Sequence, residues 1–120
     1  MPRAVDGTRR KDRRKKILDQ AKGYWGRRST LFRTAKDAVA KSGQYAYRDR
    51  RVRKREFRAL WVTRISAACR AEGITYSRFM SGLRQSNIQI NRKALSNMAI
   101  EDNEAFKSLI EKARQVTPAS

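Results

Sequence analysis

The chain has 120 residues, with 30 Lys and Arg against 11 Asp and Glu, a formal net charge of +19. A small domain with that charge repels itself unless a polyanion neutralises it, and nucleic acid, with its regularly spaced phosphates, is the natural counterpart. The sequence contains no histidine, which removes the commonest general base and metal ligand, and no apolar run is long enough to cross a bilayer.

Charge is unevenly placed. Residues 1–60 hold 21 Lys and Arg against 6 Asp and Glu, a net +15, and residues 61–120 hold 9 against 5, a net +4. The first half reads as a basic arm. Most large apolar residues sit from Phe57 onward, so the second half reads as a small globular domain. The single cysteine, Cys69, permits no intrachain disulfide and fits a reducing cytoplasm. Residues Met1–Asp6 lack the apolar stretch of a signal peptide.

In chain order, residues 1–8 read as an extended tail that orders on binding. Arg9 to Lys22 is built from good helix formers, with a narrow apolar stripe of Ile17, Leu18 and Ala21. Gly23-Tyr24-Trp25-Gly26 is a break, after which Ser29 and Thr30 are candidate caps. From about Leu31 to Glu72 there is no Pro and one Gly, Gly43. This predicts one long helix, bent if anywhere at Gly43, roughly 60 Å in length. Phe57, Leu60, Trp61, Ile65 and Ala68 follow helical spacing and are expected to dock on a core.

Gly73 ends that helix. Thr75 or Ser77 starts the next, through Phe79, Met80 and Leu83 toward Ser86. Asn87-Ile88-Gln89-Ile90 is an extended connection with both Ile on one side. Asn91 caps a short helix over Leu95 and Met98, and Asp102 caps a last one with Phe106, Leu109, Ile110 and Ala113 on one face. Thr117-Pro118-Ala119-Ser120 closes the chain as a disordered tail. The expected fold is therefore all-α: a long basic helical extension over 1–58, a small helical domain over 59–117, and a tail at 118–120.

Two basic clusters carry the functional signal. Seven of the eight residues from Arg9 to Lys16 are Lys or Arg, as are seven of the eleven from Arg48 to Arg58. Like charges three and four apart repel along a helix, and few acids offset them. Phosphate binding, with counterion release, resolves that repulsion. The first set of candidate RNA contacts is Arg3, Arg9, Arg10, Lys11, Arg13, Arg14, Lys15, Lys16 and Lys22. Further along come Arg27, Arg28, Arg33, Arg48, Arg50, Arg51, Arg53, Lys54, Arg55 and Arg58. In the globular half Arg78, Arg92 and Lys93 are candidates for a second contact, while Ser77 and Asn91 read equally as caps.

Aromatics are interleaved with the arm's cations. Tyr24, Trp25, Tyr45 and Tyr47 read as stacking platforms for unpaired bases or riboses, which RNA offers and duplex DNA hides. Phe32 reads as local packing, Trp61 as core, and Cys69 as a small buried hydrophobe. Glu101, Asp102 and Glu104 cluster where a helix N-terminus favours negative charge. Nothing suggests catalysis, a metal or a cofactor. The competing readings are a DNA-compacting protein, a small nuclease, and a membrane-active peptide. The arm's aromatics oppose the first, the missing histidine the second, and the narrow apolar stripe the third.

The residues also carry a resemblance. Arg13-Arg14-Lys15-Lys16-Ile17-Leu18 and Ala21-Lys22-Gly23-Tyr24-Trp25-Gly26-Arg27-Arg28-Ser29 are the first matching segments. Tyr45-Ala46-Tyr47-Arg48-Asp49-Arg50-Arg51, Lys54-Arg55-Glu56-Phe57-Arg58-Ala59-Leu60-Trp61 and Arg64-Ile65 come next. In the second half Tyr76-Ser77-Arg78-Phe79-Met80-Ser81-Gly82-Leu83 and Asn91-Arg92-Lys93-Ala94-Leu95 complete the set. From end to end the chain resembles the bacterial large-subunit ribosomal protein L-twenty family. Cys69 departs from the small Ala or Gly expected there. The resemblance implies direct binding to large-subunit (23S) ribosomal RNA, with the arm threaded between RNA segments, and a part in early assembly of the subunit. It implies neighbouring large-subunit ribosomal proteins as partners, no small-molecule substrate, and a cytoplasmic place in the ribosome. Some members of that family also repress translation of their own message.

Overall fold

A computed structural model describes residues 7–117, and its elements are all helical: α1 (Gly7–Gln20), a short 3-10 turn (Gly26–Arg28), α2 (Phe32–Ala71), α3 (Tyr76–Gln85), α4 (Arg92–Glu101) and α5 (Asn103–Val116). The described residues up to Arg51 form one compact unit and those from Val52 onward form another. The division falls inside α2.

In the first unit, α1 begins at Gly7, so Gly7 and Thr8 are helical where an extended tail is expected. The rest of that tail, residues 1–6, lies outside the described residues, as do 118–120. α1 ends at Gln20 rather than Lys22, because Gly23 turns the backbone at φ 88°. Neither Ser29 nor Thr30 caps α2. The Ser29 hydroxyl donates back to the Gly26 carbonyl, 2.9 Å away, and so closes the 3-10 turn instead. Leu31 stands in the capping position, its carbonyl accepting from the Ala35 N–H at 2.8 Å. α2 then runs without interruption through Gly43 for 40 residues. A single glycine weakens a helix by only about 1 kcal/mol and need not bend it.

The second unit holds the hydrophobic core. It is built from Ile65 and Cys69 of α2, Ile74 in the turn that leads into α3, Phe79 and Leu83 of α3, Leu95 of α4, and Phe106, Leu109, Ile110 and Ala113 of α5. The Phe79 and Phe106 rings meet at 5.2 Å between centroids, tilted by 53°. Burial pushes the Cys69 thiol up to about 11, so it stays protonated and packs as an apolar side chain. The expectation that Phe57, Leu60 and Trp61 dock on this core is corrected. Phe57 and Leu60 are 48% and 41% exposed, and Trp61 is only half-buried. The core begins one turn later, at Ile65. Helical spacing identifies a face but does not say where along the helix a partner begins.

Two helix ends aim isoleucines inward. After α2, Gly73 takes φ 73°, its N–H donates to the Arg70 carbonyl, and the Ile74 N–H donates to the Cys69 carbonyl. After α3, Asn87 takes φ 59°, its N–H donates to the Arg84 carbonyl, and the Ile88 N–H donates to the Leu83 carbonyl. Both are Schellman ends, in which the residue after the left-handed one packs back on the helix. Ile88 and Ile90 both pack against the core while Asn87 and Gln89 stay on the outer side. Thr75, Asn91 and Asp102 cap α3, α4 and α5, accepting from Arg78, Ala94 and Ala105 N–H groups at 3.4, 2.8 and 3.0 Å. Thr117 belongs to the fold rather than to a tail, since its hydroxyl donates to the Ala113 carbonyl at 2.7 Å.

α3 and α5 approach so closely that only glycine fits at position 82. A Cβ built there would lie 2.6 Å from the Ala113 carbonyl oxygen and 2.7 Å from its Cα. Backbone atoms cannot yield as a flexible side chain can.

Candidate RNA interface

The candidate cations are presented, not buried. Arg9, Arg10, Lys11, Arg13, Arg14, Lys15 and Lys16 are exposed along α1, and Lys22, Arg27 and Arg28 are exposed in the turn after it. On α2, Arg33, Arg48, Arg50, Arg51, Arg53, Lys54, Arg55 and Arg58 are exposed as well. Arg3 lies outside the described residues. Ion pairs within the arm join Lys22 to Asp19 at 3.6 Å and Arg48 to Asp49 at 2.8 Å. The hydrogen bond to Asp49 holds the Arg48 pKa above its ordinary value. Exposed pairs of this kind contribute little to stability and open readily to a phosphate.

Aromatic rings and cations alternate on α2 because residues three and four apart share a face. The Lys41 Nζ lies 5.2 Å and the Arg48 guanidinium 4.8 Å from the Tyr45 ring centroid. The Arg51 guanidinium lies 4.8 Å from the Tyr47 ring and donates to the Tyr47 hydroxyl at 2.6 Å. Arg14 covers Phe32 at 5.3 Å, which gives Phe32 the local packing role expected of it. Such contacts contribute about 0.5–1 kcal/mol at exposed sites and hold the side chains upright. Trp25 is 89% exposed and Tyr47 60%.

Two clefts collect these groups. One, in the first unit, has a volume of about 690 Å³ and is walled by Tyr24, Trp25, Arg28, Asp37, Lys41 and Tyr45. The other, in the second unit, has a volume of about 740 Å³, and its walls include Arg53, Arg58, Phe57, Trp61, Arg92 and Lys93. Phe57 and Trp61 sit 6.2 Å apart between centroids within it. The α2 aromatics freed from the core therefore stand beside cations from the start of α4. Arg92 is half-buried and its Nε donates to the Tyr76 hydroxyl at 2.9 Å, while Lys93 and Arg78 are exposed. Reading the sequence missed Asp37, Lys41, Phe57 and Trp61 as cleft residues. The four-residue spacing of Asp37, Lys41 and Tyr45 was a usable signal for the first cleft. The second is made by tertiary packing and leaves none.

No described helix is long and apolar enough to cross a membrane. No group of His, Cys, Asp and Glu among the described residues is placed to hold a metal ion.

The family model for ribosomal protein L20 matches residues 3–109. The large ribosomal subunit protein bL20 of Staphylococcus carnosus (strain TM300) is 58% identical over 114 residues, covering 95% of this chain and 97% of the relative. That of Hydrogenobaculum sp. (strain Y04AAS1) is 59% identical over 111 residues, covering 92% and 96%. That of Erythrobacter litoralis (strain HTCC2594) is 52% identical over 119 residues, covering 99% and 100%. With a family match over nearly its whole length and full-length relatives above half identity, this chain belongs to the ribosomal protein L20 family.

Proposed function

We propose that the chain binds large-subunit (23S) ribosomal RNA directly and supports early assembly of the large subunit. Membership of a ribosomal-protein family makes it a structural component of the large ribosomal subunit, not an enzyme. The observation that carries RNA binding is the exposed, densely cationic surface of α1 and α2, interleaved with exposed aromatic rings. Phosphates neutralise the cations, and unpaired bases stack on the rings. The candidate contacts, from Arg3 to Lys93, are the proposed interface.

The two halves of the chain take different roles. Residues 59–117 dock first on folded RNA, and residues 1–58 then order along phosphates, with the aromatics locking unpaired bases. Residues 59–120 contain every member of the hydrophobic cluster, from Ile65 to Ala113. Among its described residues, the arm buries only small apolar side chains, Ala21 and Ala35. A fragment of residues 59–120 is therefore expected to keep its helical circular dichroism. A fragment of residues 1–58 is expected to be mostly unfolded until RNA is added. An isolated arm that is helical without RNA would contradict this order of events.

The test of function is binding to large-subunit ribosomal RNA, unrelated folded RNA and duplex DNA across a salt series. The expected result is a preference for ribosomal RNA that survives moderate salt. A mere polycation would bind all three alike and lose affinity in parallel. Repression of its own message belongs to the same proposal, since an RNA that mimics the ribosomal site would engage the same surface of the globular half.

A further inference from the structure

The cleft walled by Tyr24, Trp25, Arg28, Asp37, Lys41 and Tyr45 contains one group that phosphate binding does not explain. Asp37 is exposed on α2, with Arg33 one turn before it and Lys41 one turn after. Helical neighbours at that spacing ordinarily pair. Here neither does, and the Asp37 carboxylate forms no hydrogen bond or ion pair with any described residue. Lys41 instead sits 5.2 Å from the Tyr45 ring centroid. A carboxylate on an arm that grips phosphates weakens that grip by repulsion, unless it accepts hydrogen bonds from the RNA itself.

The geometry points to a nucleobase pocket that selects an unpaired guanine, an inference that rests on the proposed RNA binding. Trp25, 89% exposed, is the open stacking surface of the cleft, since the Tyr45 ring already has Lys41 and Arg48 against it. Stacking accepts any base, because every base has a π-face. Selection comes from Asp37. A carboxylate only accepts hydrogen bonds. Guanine alone presents two adjacent donors, N1–H and the N2 amino group, on one edge. Adenine and cytosine set a ring-nitrogen acceptor beside their amino group, and uracil flanks its single N–H with carbonyls, so each opposes the carboxylate with a lone pair. Arg28, in the same wall, matches the guanine O6 and N7 acceptors, which a guanidinium grips with two hydrogen bonds.

The full-length chain can be titrated by fluorescence anisotropy with short oligouridylates carrying one central guanosine, adenosine or cytidine, or none. The guanosine probe is expected to bind on the order of tenfold tighter than the other three, the discrimination of a good two-point base contact. Asp37→Asn should reduce that preference to near unity while the circular dichroism stays unchanged. Asp12→Asn removes the same charge from α1, away from the cleft. It should tighten all four probes alike and keep the preference. Equal binding of the four probes by the wild-type chain, or a guanosine preference that persists in Asp37→Asn, would overturn the pocket. The same proteins are run against large-subunit ribosomal RNA and unrelated folded RNA. Wild-type preference for the ribosomal RNA without a guanosine preference defeats only the pocket. Loss of the ribosomal preference defeats the RNA reading beneath it.

Discussion

Phe106→Ala is expected to leave the second unit largely unfolded at room temperature. The ring is fully buried and packs against Phe79 at the centre of the cluster shared by α2, α3, α4 and α5. Truncating a buried Phe removes its transfer free energy and leaves a cavity, together about 3–5 kcal/mol. A domain of this size holds only about 3–5 kcal/mol of net stability, so the loss approaches the whole. Urea denaturation monitored by circular dichroism checks it. The midpoint should fall to near zero denaturant, with much of the helical signal lost in buffer. A midpoint within experimental error of wild type would mean that Phe106 does not hold the four helices together.

The second large effect concerns binding. Replacing Arg13, Arg14, Lys15 and Lys16 together by alanine should lower the slope of log affinity against log salt by about three, since each phosphate contact contributes roughly 0.7–0.9. Binding to ribosomal and unrelated RNA should weaken in nearly equal proportion, because phosphate contacts carry no sequence information. The change cannot act by melting α1. Alanine is the best helix former, and the substitution removes like-charge repulsion. These cations are also exposed and belong to no hydrophobic core, and the packing contact the change removes is that of Arg14 over Phe32. A slope unchanged from wild type would place the first basic cluster off the phosphates and confine the interface to α2 and the globular unit. The experiment is informative because it separates charge from shape. Asp37→Asn tests the opposite property, base preference at nearly constant charge.

Much of this was legible in local chemistry. Thr75, Asn91 and Asp102 are short side chains with an acceptor oxygen at the start of an apolar periodic run, and all three cap helices. Gly73 ends the long helix because it accepts a left-handed backbone, which the sequence alone suggests. Asn87 does the same after α3, and there the signal was weaker, since asparagine takes that conformation only some of the time. Ser29 shows the limit of the rule. Its hydroxyl had two acceptable partners, and the 3-10 turn bound it before α2 could.

The candidate site was legible as a composition and illegible as a geometry. Arg9–Lys16 and Arg48–Arg58 are visible in one dimension because charge density is a sum over neighbours. The clefts are not. Nothing in the order of residues says that Phe57 and Trp61 lie beside Arg92 and Lys93, some thirty positions later. The same apolar spacing serves a buried face and an exposed stacking surface, so helical spacing alone assigned Phe57 and Trp61 to the core.

Local rules were enough to read an all-helical chain, most of its helix ends, a basic half joined to an apolar half, and an anionic partner. Charge, capping and backbone freedom act over a few residues, so they can be read in order. Packing between distant segments settled the rest, and only the folded chain contains it. It set where along α2 the core begins, at Ile65. It made position 82 a glycine, because the Ala113 backbone lies across it. It also turned a helix face carrying Asp37 and Lys41 into a wall beside Tyr24 and Trp25. These are steric facts about which surfaces meet, and one-dimensional periodicity supplies the surfaces without naming their partners.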